Sequence, residues 1–188
     1  MQLSKQVLRR QLLQQRQALP EAEWQQKSDR ISDHLRQAAF FQQARTVFAY
    51  LSFRQEPTLQ SLFDDQHQWG VPRCVGSELV WHHWQPHDLD QLQPGKYGIM
   101  EPKATLPILS PAVADLILIP AVACSAQGYR LGYGGGYYDR LLSQWPHLKT
   151  IGLVFDDADR LPLPTDPWDQ PLKAICTEAG FRQPDGKT

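Results

Sequence analysis

The stretch RLGYGGGYYDR, residues 130–140, combines bare backbone with charged and aromatic side chains in a way that suits phosphate chemistry. Four of the five residues at 132–136 are glycines, whose backbone N–H groups can approach a ligand closely. A helix that begins directly after them adds the positive end of its dipole, which favours a bound anion. Asp139 follows with a carboxylate, the kind of ligand that Mg²⁺ prefers. The simpler alternative is a turn between a strand and a helix, with glycines present for their positive φ.

A second cationic element lies in the first twenty residues, which contain Lys5, Arg9, Arg10 and Arg16 and no acidic residue. Lys5 and Arg9 are four positions apart and therefore project from one face of a helix. Like charges at this spacing repel by about 0.2–0.5 kcal/mol, and a bound polyphosphate would reverse that cost. A solvated basic face is the alternative explanation for such a run.

Two common nucleotide fingerprints are missing from the glycine-rich stretch. The Walker pattern GxxxxGK[ST] does not occur there, and a GxGxxG pattern starting at Gly132 fails at Tyr137. A nucleotide bound here would therefore be held by a less common arrangement.

Hydrophobic periodicity predicts the elements that must position these residues. The predicted helices span residues 2–17, 21–43, 57–68 and 137–144, and residues 85–112 are predicted to be irregular. The predicted strands span residues 46–51, 71–75, 79–84, 115–120, 150–155 and 172–176. Strands that alternate with helices indicate an α/β fold with a mostly parallel sheet flanked by helices on both faces. We expect a Rossmann-like three-layer sandwich with the N-terminal helices packed on the sheet.

Length and composition limit the class of protein. A chain of 188 residues is expected to form one domain, residues 1–188. With 19 Lys and Arg against 20 Asp and Glu, the net charge of −1 disfavours a surface adapted to nucleic acid or to a membrane. The three cysteines form no CxxC pair, which is typical of reduced thiols in a cytosolic protein. The longest apolar run falls far short of the ~20 residues of a membrane helix, so we expect a soluble, cytoplasmic protein.

Two further clusters indicate ordinary surface structure rather than a metal site. Neighbouring positions on a strand point to opposite faces, so His82 and His83 are expected to diverge, and no acid or cysteine lies at a zinc spacing from them. The acidic run at residues 156–159 follows a predicted buried strand, where a solvated turn is a simpler explanation than an Mg²⁺ ligand.

Several separated motifs together resemble the 5-formyltetrahydrofolate cyclo-ligase family, also called 5,10-methenyltetrahydrofolate synthetases. The similarity covers nearly the whole chain and rests on Lys5 with Arg9, LSFRQE at 51–56, YGIMEP at 97–102, RLGYGGGYYD at 130–139, Leu161 with Pro162, and WDQPL at 168–172. The chain departs from some relatives, which have Arg at the position of Tyr133 and Lys at that of Gly135. Arg130 and Arg140 are then expected to supply more of the positive charge.

The resemblance implies an ATP- and Mg²⁺-dependent cyclisation of 5-formyltetrahydrofolate to 5,10-methenyltetrahydrofolate, with release of ADP and phosphate. The reaction would pass through a phosphorylated formyl oxygen, because that oxygen is a poor leaving group until it carries phosphate. The protein's task would be to position two substrates and to neutralise phosphate charge. The implied partners are ATP and 5-formyltetrahydrofolate, with or without additional glutamates, on a monomer or weak homodimer.

The resemblance also implies roles for individual residues. ATP would be bound by Lys5, Arg9, Arg130, Leu131, Gly132, Tyr133, Gly134, Gly135, Gly136, Tyr137 and Tyr138. The folate would be bound by Leu51, Glu56, Tyr97, Tyr133, Gly134, Gly135, Gly136 and Tyr137. Arg130, Tyr138 and Asp139 would act in catalysis. Asp139 and Asp169 would hold Mg²⁺, with Asp166 as the alternative to Asp169.

Two other classes of function stay open from the sequence. A non-catalytic nucleotide- or folate-binding protein on the same fold would keep the binding residues and lack turnover. A small RNA-associated module would use the basic first helix, although the balanced charge and the absence of interleaved aromatic residues disfavour it.

Overall fold

The structure is a computed structural model that describes residues 4–186, apart from the side chain of Tyr97. Helices in this range are α1 (Lys5–Gln17), α2 (Glu21–Gln37), α3 (Ala39–Gln42) and α4 (Tyr137–Gln144). The strands of the first half are β1 (Thr46–Phe48), β2 (Gln68–Val75), β3 (Glu78–Trp84), β4 (Leu92–Pro94), β5 (Met100–Pro102) and β6 (Ile108–Leu109). Those of the second half are β7 (Leu116–Pro120), β8 (Ala123–Cys124), β9 (Arg130–Leu131), β10 (Thr150–Leu153), β11 (Ala174–Thr177) and β12 (Gly180–Arg182).

One eight-stranded sheet organises the molecule, in the order β12-β11-β10-β7-β1-β2-β3-β6. The five strands from β11 to β2 are parallel to one another, whereas β12, β3 and β6 pair antiparallel at the two margins. Residues 116–119 of β7 are fully buried, as expected for a parallel strand that is covered on both faces. The predicted α/β fold with a mostly parallel sheet is confirmed.

Helices cover both faces of this sheet. On one face, Ile31 and Leu35 of α2 pack against β-strand side chains such as Val47 and Leu118. On the other face, Leu141 and Leu142 of α4 pack in a cluster that includes Ile117 and Ile119 of β7. The alternation of neighbouring β7 residues between the two clusters follows from the period of two along a strand.

The N-terminal helices were both expected to pack on the sheet, but only α2 does so. The first helix, α1, covers the segment that follows β7 instead. Leu8 and Leu12 of α1 pack against Val122, Ala123 and Leu131, which belong to the β8–β9 hairpin and its approach. Ser4 caps the helix, since its side chain accepts a hydrogen bond from the backbone N–H of Val7. This packing places the charged face of α1 beside the loop that follows β9.

Several sequence-based boundaries were wrong. The helix predicted over 57–68 is absent: residues 60–62 form a turn, and Asp64 Oδ1 accepts hydrogen bonds from the backbone N–H groups of Gln66 and His67. Such local side-chain bonds compete with a helix. The helix predicted over 21–43 is interrupted because Ala38 is extended, with ψ 126°.

The segment predicted to be irregular, 85–112, contains a β4–β5 ribbon and the edge strand β6. The first predicted strand, 46–51, pairs as β1 only over Thr46–Phe48.

Cys74, Cys124 and Cys176 are free thiols. In residues 4–186, no helix combines the length and the apolar character needed to cross a bilayer.

Candidate active site

Residues 132–136, called the glycine loop below, connect β9 to α4. Gly134 and Gly136 have φ values of +97° and +66°, a region that side chains with a Cβ rarely adopt. Gly136 is also the residue directly before α4, so its left-handed conformation turns the chain into the helix. A Cβ at Gly135 would lie 2.7 Å from the Tyr137 ring. Chain direction and close packing thus account for three of the four glycines.

Arg9 of α1 faces this loop directly. Its Nε donates a hydrogen bond to the carbonyl oxygen of Gly132 at 2.6 Å. A Cβ at Gly134 would meet the Arg9 guanidinium at 3.4 Å. Burial lowers the pKa of Arg9. The first helix and the glycine loop therefore form one continuous surface.

Lys5, one turn earlier on α1, is held between two aspartates. Its Nζ lies 2.6 Å from Asp166 Oδ2 and 2.5 Å from Asp169 Oδ2. Asp169 Oδ2 also accepts a hydrogen bond from the backbone N–H of Asp166 at 2.8 Å. Burial lowers the pKa of Lys5, but the bonds that it donates to the two carboxylates outweigh this effect, so its pKa is raised. Lys5 therefore carries a full positive charge.

Asp139, on the first turn of α4, joins the glycine loop to the same C-terminal segment. Its Oδ1 lies 3.1 Å from an Arg130 guanidinium nitrogen and accepts a hydrogen bond from the backbone N–H of Gln170 at 3.2 Å. The Arg130 guanidinium also lies 5.5 Å from the centroid of the Tyr138 ring. Burial raises the pKa of Tyr138 well above its ordinary value, so its phenol stays protonated.

The expected metal ligands are close to cations in this structure. Asp139 faces Arg130, while Asp169 and its alternative, Asp166, both contact Lys5. Across residues 4–186, no group of three or more His, Cys, Asp or Glu side chains is arranged to hold a metal ion. A cation bound at Asp139 would therefore need most of its ligands from elsewhere.

Glu56 is a buried carboxyl group beside Tyr133 of the glycine loop. Its side chain is almost inaccessible, at 3 % exposure, and Oε2 accepts a hydrogen bond from the Phe53 backbone N–H at 2.9 Å. Burial raises the pKa of Glu56 to about 7, although the positive charge of Arg16 and the Phe53 amide both act to lower it. This carboxyl group is poised to gain or lose a proton near neutral pH.

The turn that presents Glu56 is strained. Arg54 and Gln55 have φ values of +49° and +54°, which cost of order 1–3 kcal/mol for each non-glycine residue. Trp24 of α2 donates its indole N–H to the Glu56 carbonyl at 2.9 Å, and Gln55 donates to the Leu19 carbonyl at 3.2 Å. Strain of this kind persists only where surrounding contacts fix the backbone.

Tyr133 brings the glycine loop and this turn together. Its hydroxyl is hydrogen-bonded to the Arg16 guanidinium, and its ring centroid lies 6.3 Å from that of Phe53. Leu51, before the turn, is half-buried and packs against the core beneath α2. The expected folate residues of 51–56 and the expected phosphate residues of the loop thus border one region.

Three sequence-based assignments need qualification. The side chain of Leu131 is buried at 2 % exposure beneath α1, so only its backbone is available to a ligand. Tyr97 lies in the short 3₁₀ helix Lys96–Gly98, and its side chain is outside the described part of the structure. Arg140, considered as an additional phosphate contact, donates instead to the carbonyl oxygens of Ser77 and Gly135, each at 2.7 Å.

Two features of the site were not expected. The tip of the β2–β3 hairpin contacts the glycine loop region, where Tyr137 donates its hydroxyl to the Gly76 carbonyl at 3.3 Å. Arg16, buried at 7 % exposure, contacts the strained turn and Tyr133. Arg16 is seven positions after Arg9 and therefore shares its helix face, which is the signal that would have identified it.

The site therefore combines cations, exposed glycine backbone and a buried carboxyl group next to the hairpin that follows a parallel strand, a usual place for a ligand site in α/β proteins. The 5-formyltetrahydrofolate cyclo-ligase family matches residues 1–178. The 5-formyltetrahydrofolate cyclo-ligase of Escherichia coli K12 is 34 % identical over 145 residues, covering 71 % of this chain and 78 % of that protein. The Mycolicibacterium smegmatis cyclo-ligase is 30 % identical over 186 residues, covering 93 % of each chain.

A solved structure agrees with these sequence matches. The 5,10-methenyltetrahydrofolate synthetase of Aquifex aeolicus superposes with a TM-score of 0.84 and 31 % identity, covering 98 % of this chain and 95 % of that one. The fold and these matches thus define an α/β enzyme of the ligase class. The chain belongs to the 5-formyltetrahydrofolate cyclo-ligase family. The resemblance seen in the sequence is confirmed, and with it a place in folate one-carbon metabolism.

Proposed function

We propose that this chain couples ATP cleavage to the cyclisation of 5-formyltetrahydrofolate, giving 5,10-methenyltetrahydrofolate, ADP and phosphate, with Mg²⁺ present. The observation that carries the proposal is the convergence of Lys5 and Arg9 with the glycine loop and Asp139. Arg9 contacts Gly132, Lys5 contacts Asp169, and the neighbouring Gln170 contacts Asp139. Cations and backbone amides beside a buried carboxyl group suit a polyphosphate and a pterin held side by side.

The chemistry explains why the site needs few reactive side chains. The formyl oxygen attacks the γ-phosphorus of ATP, and the bond to the β-phosphate oxygen breaks to release ADP. Nitrogen 10 of the folate then attacks the formyl carbon, loses its proton, and the phosphorylated oxygen departs as inorganic phosphate. Catalysis then depends on positioning and on stabilising moving negative charge.

We assign the binding of the ATP phosphates to α1 and the glycine loop. Arg9 is already fixed to the loop through Nε, which leaves the other guanidinium nitrogens for a phosphate oxygen. Lys5 supplies a compact charge from the preceding turn, and the open space above Gly132 leaves its backbone accessible. Arg130, fixed by Asp139 and Tyr138, lies beneath the loop as a further positive charge.

The donor set fits Mg²⁺ that is carried in by a nucleotide. Mg²⁺ keeps several waters and is usually bound through one or two carboxylates together with substrate phosphates. Asp139 with Asp169, or with Asp166, would supply those carboxylates. When bound, the ion would neutralise charge on the phosphates and orient them.

Glu56 and Tyr133 are assigned to the folate. An ionised Glu56 can accept hydrogen bonds from the exocyclic amino group and the adjacent ring N–H of a pterin. Leu51 and the ring of Tyr133 would provide apolar surface for the flat ring system, and we assign Tyr97 and Tyr137 to the same pocket. The half-titrated state of Glu56 near neutral pH would let the site change charge as the substrate binds.

The test is formation of the methenyl product, followed by its ultraviolet absorbance, from protein, Mg-ATP and 5-formyltetrahydrofolate. We expect turnover that requires all three components. Binding of both ligands without product would instead support a non-catalytic binding protein on this fold. Retention on RNA at moderate salt, without either activity, would support the RNA-associated alternative.

A further inference from the structure

Arg16 is the most deeply buried arginine of the first helix, and its guanidinium contacts three separate segments. Nε donates to the carbonyl oxygen of Arg54 at 3.1 Å, and one terminal nitrogen donates to the Ala121 carbonyl at 3.3 Å. The other terminal nitrogen bonds the Tyr133 hydroxyl. Among the residues that the structure describes, no carboxylate lies within ion-pair distance of Arg16.

The three acceptors belong to the walls of the proposed folate pocket or to its base. Arg54 is one of the two residues with positive φ in the strained turn before Glu56. Tyr133 is the single non-glycine residue of the glycine loop, and its ring lies near Phe53 of the same turn. Ala121 directly follows β7, the central strand between β10 and β1, and is itself buried. The guanidinium thus links the strained turn and the glycine loop to the end of a central strand of the sheet.

We infer that Arg16 is a positioning residue of the ligase reaction: its three-way hydrogen bonding fixes the 53–56 turn against Tyr133 and thereby shapes the folate pocket. The inference rests on the proposed function. A planar guanidinium donates in three fixed directions, whereas a lysine ammonium on a flexible stem cannot reach three acceptors that are spread around a plane. A misplacement of about 1 Å in a binding wall is enough to reduce turnover by about 100-fold.

The charge of Arg16 has a second effect that separates its role from packing alone. Four groups from different elements face the Glu56 carboxyl: Arg16 of α1, Tyr133 of the glycine loop, Tyr50 after β1 and Tyr138 of α4. Arg16 is the only cation among these four, since the tyrosines are neutral near pH 7 and burial raises their pKa still further. Loss of the Arg16 charge would therefore favour the protonated form of Glu56.

The experiment compares Arg16→Lys and Arg16→Met with Arg10→Lys, a matched change at an exposed arginine of the same helix. Calorimetric titration with 5-formyltetrahydrofolate alone, without ATP, measures folate binding whether or not the chain turns the folate over. We expect Arg16→Lys to weaken folate binding by about tenfold or more and to leave the KM for ATP within about threefold of wild type. Arg10→Lys is expected to match wild type in both.

The pH dependence supplies the second readout. Folate binding by Arg16→Met should require a higher pH than binding by wild type, whereas Arg16→Lys should keep the wild-type pH dependence. Tyr133→Phe removes the hydroxyl that Arg16 contacts, together with the contacts of that hydroxyl to the Phe53 carbonyl and the Glu56 carboxyl of the same turn. This variant covers the case in which an Arg16 variant does not fold, and it should also weaken folate binding with little change in melting temperature. Wild-type folate affinity in Arg16→Lys or in Tyr133→Phe would overturn the inference, as would equal loss for both substrates.

The failure of the proposed function gives a different result. If wild type binds 5-formyltetrahydrofolate but forms no product with Mg-ATP, the ligase proposal fails and the folate titration still tests Arg16. If wild type turns over and the Arg16 variants lose only thermal stability, Arg16 is a structural residue and the inference fails alone.

Discussion

Arg9 on the first helix donates a hydrogen bond from Nε to the carbonyl oxygen of Gly132, 123 positions later in the chain, at 2.6 Å. This bond fixes a side-chain cation beside a loop whose backbone is bare. In the proposed function, the helix would supply the charge that a Walker lysine supplies in other nucleotide sites, and the loop would supply amides.

Lys5→Ala should weaken the binding of ATP far more than the binding of folate. The substitution would remove the proposed charged contact with phosphate, which is worth about 1.5–3 kcal/mol. It would also leave Asp166 and Asp169 without the cation that they contact. We expect the KM for ATP to rise by about 10- to 100-fold and the KM for 5-formyltetrahydrofolate to change by less than about threefold. Steady-state kinetics with each substrate varied in turn measures both. Lys149→Ala, an exposed lysine before β10, is the matched control. Equal loss for the two substrates would contradict a phosphate role.

Asp139→Ala should remove most magnesium-dependent turnover. Its carboxylate is placed at the exit of the glycine loop by Arg130 and by the Gln170 amide. We expect turnover to fall by roughly 100-fold or more and to recover little at high Mg²⁺, because the protein ligand itself is missing. Initial rates across a magnesium titration provide the measurement. Asp33→Ala, which removes an exposed carboxylate on α2, is the control. An unchanged titration curve would show that Asp139 is not a ligand of Mg²⁺.

Glu56→Gln should lose folate binding and yet gain stability at alkaline pH. The pKa of Glu56 rises from 4.5 to about 7 on burial, so the folded state favours its protonated form. The contribution of protonated Glu56 to the free energy of unfolding of wild type is fully present below pH 4.5. It is lost as the pH rises through 7, by roughly 3 kcal/mol in all. The free energy of unfolding of Glu56→Gln relative to wild type should therefore grow by about 2–3 kcal/mol between pH 5 and pH 8. Urea titrations at the two pH values test this, and parallel pH dependence in the two proteins would refute it.

Gly136→Ala should destabilise the fold where Gly132→Ala does not. Alanine in the left-handed conformation of Gly136 costs about 1–2 kcal/mol, and its Cβ would lie 2.7 Å from an Arg140 guanidinium nitrogen. A Cβ at Gly132 meets no atom within 4 Å. Denaturant midpoints at one pH compare the two variants directly. A Gly132→Ala variant that is as unstable as Gly136→Ala would show that positive φ is not the reason for glycine at 136.

The sequence was most informative where local signals agreed. Helix α4 occupies Tyr137–Gln144, as its glycine boundary and apolar spacing predicted. The buried run of β7 was equally clear. By contrast, Leu59, Leu62 and Phe63 have helical spacing and are buried, yet they lie in a turn and in irregular structure. Asp64 bonds the backbone N–H groups of Gln66 and His67, which competes with a helix.

Local sequence signals were also insufficient to predict the contacts within the candidate site. Lys5 and Asp169 were both identified as charged site residues, but their mutual contact depends on tertiary folding and has no local signal. Arg140 was expected near phosphate because of its charge, whereas the structure directs it to carbonyl oxygens of the hairpin and the loop. Residue type thus predicts what a side chain can bind, and only the fold decides which partner it meets.

The two ion pairs of Lys5 span 161 and 164 positions of the chain. Contacts between such distant residues form late, since a long loop must close before they contribute. Catalytic competence should therefore return after the backbone has regained its secondary structure during refolding. Recovery of methenyl formation that keeps pace with the far-ultraviolet circular dichroism signal would show instead that helix α1 docks early.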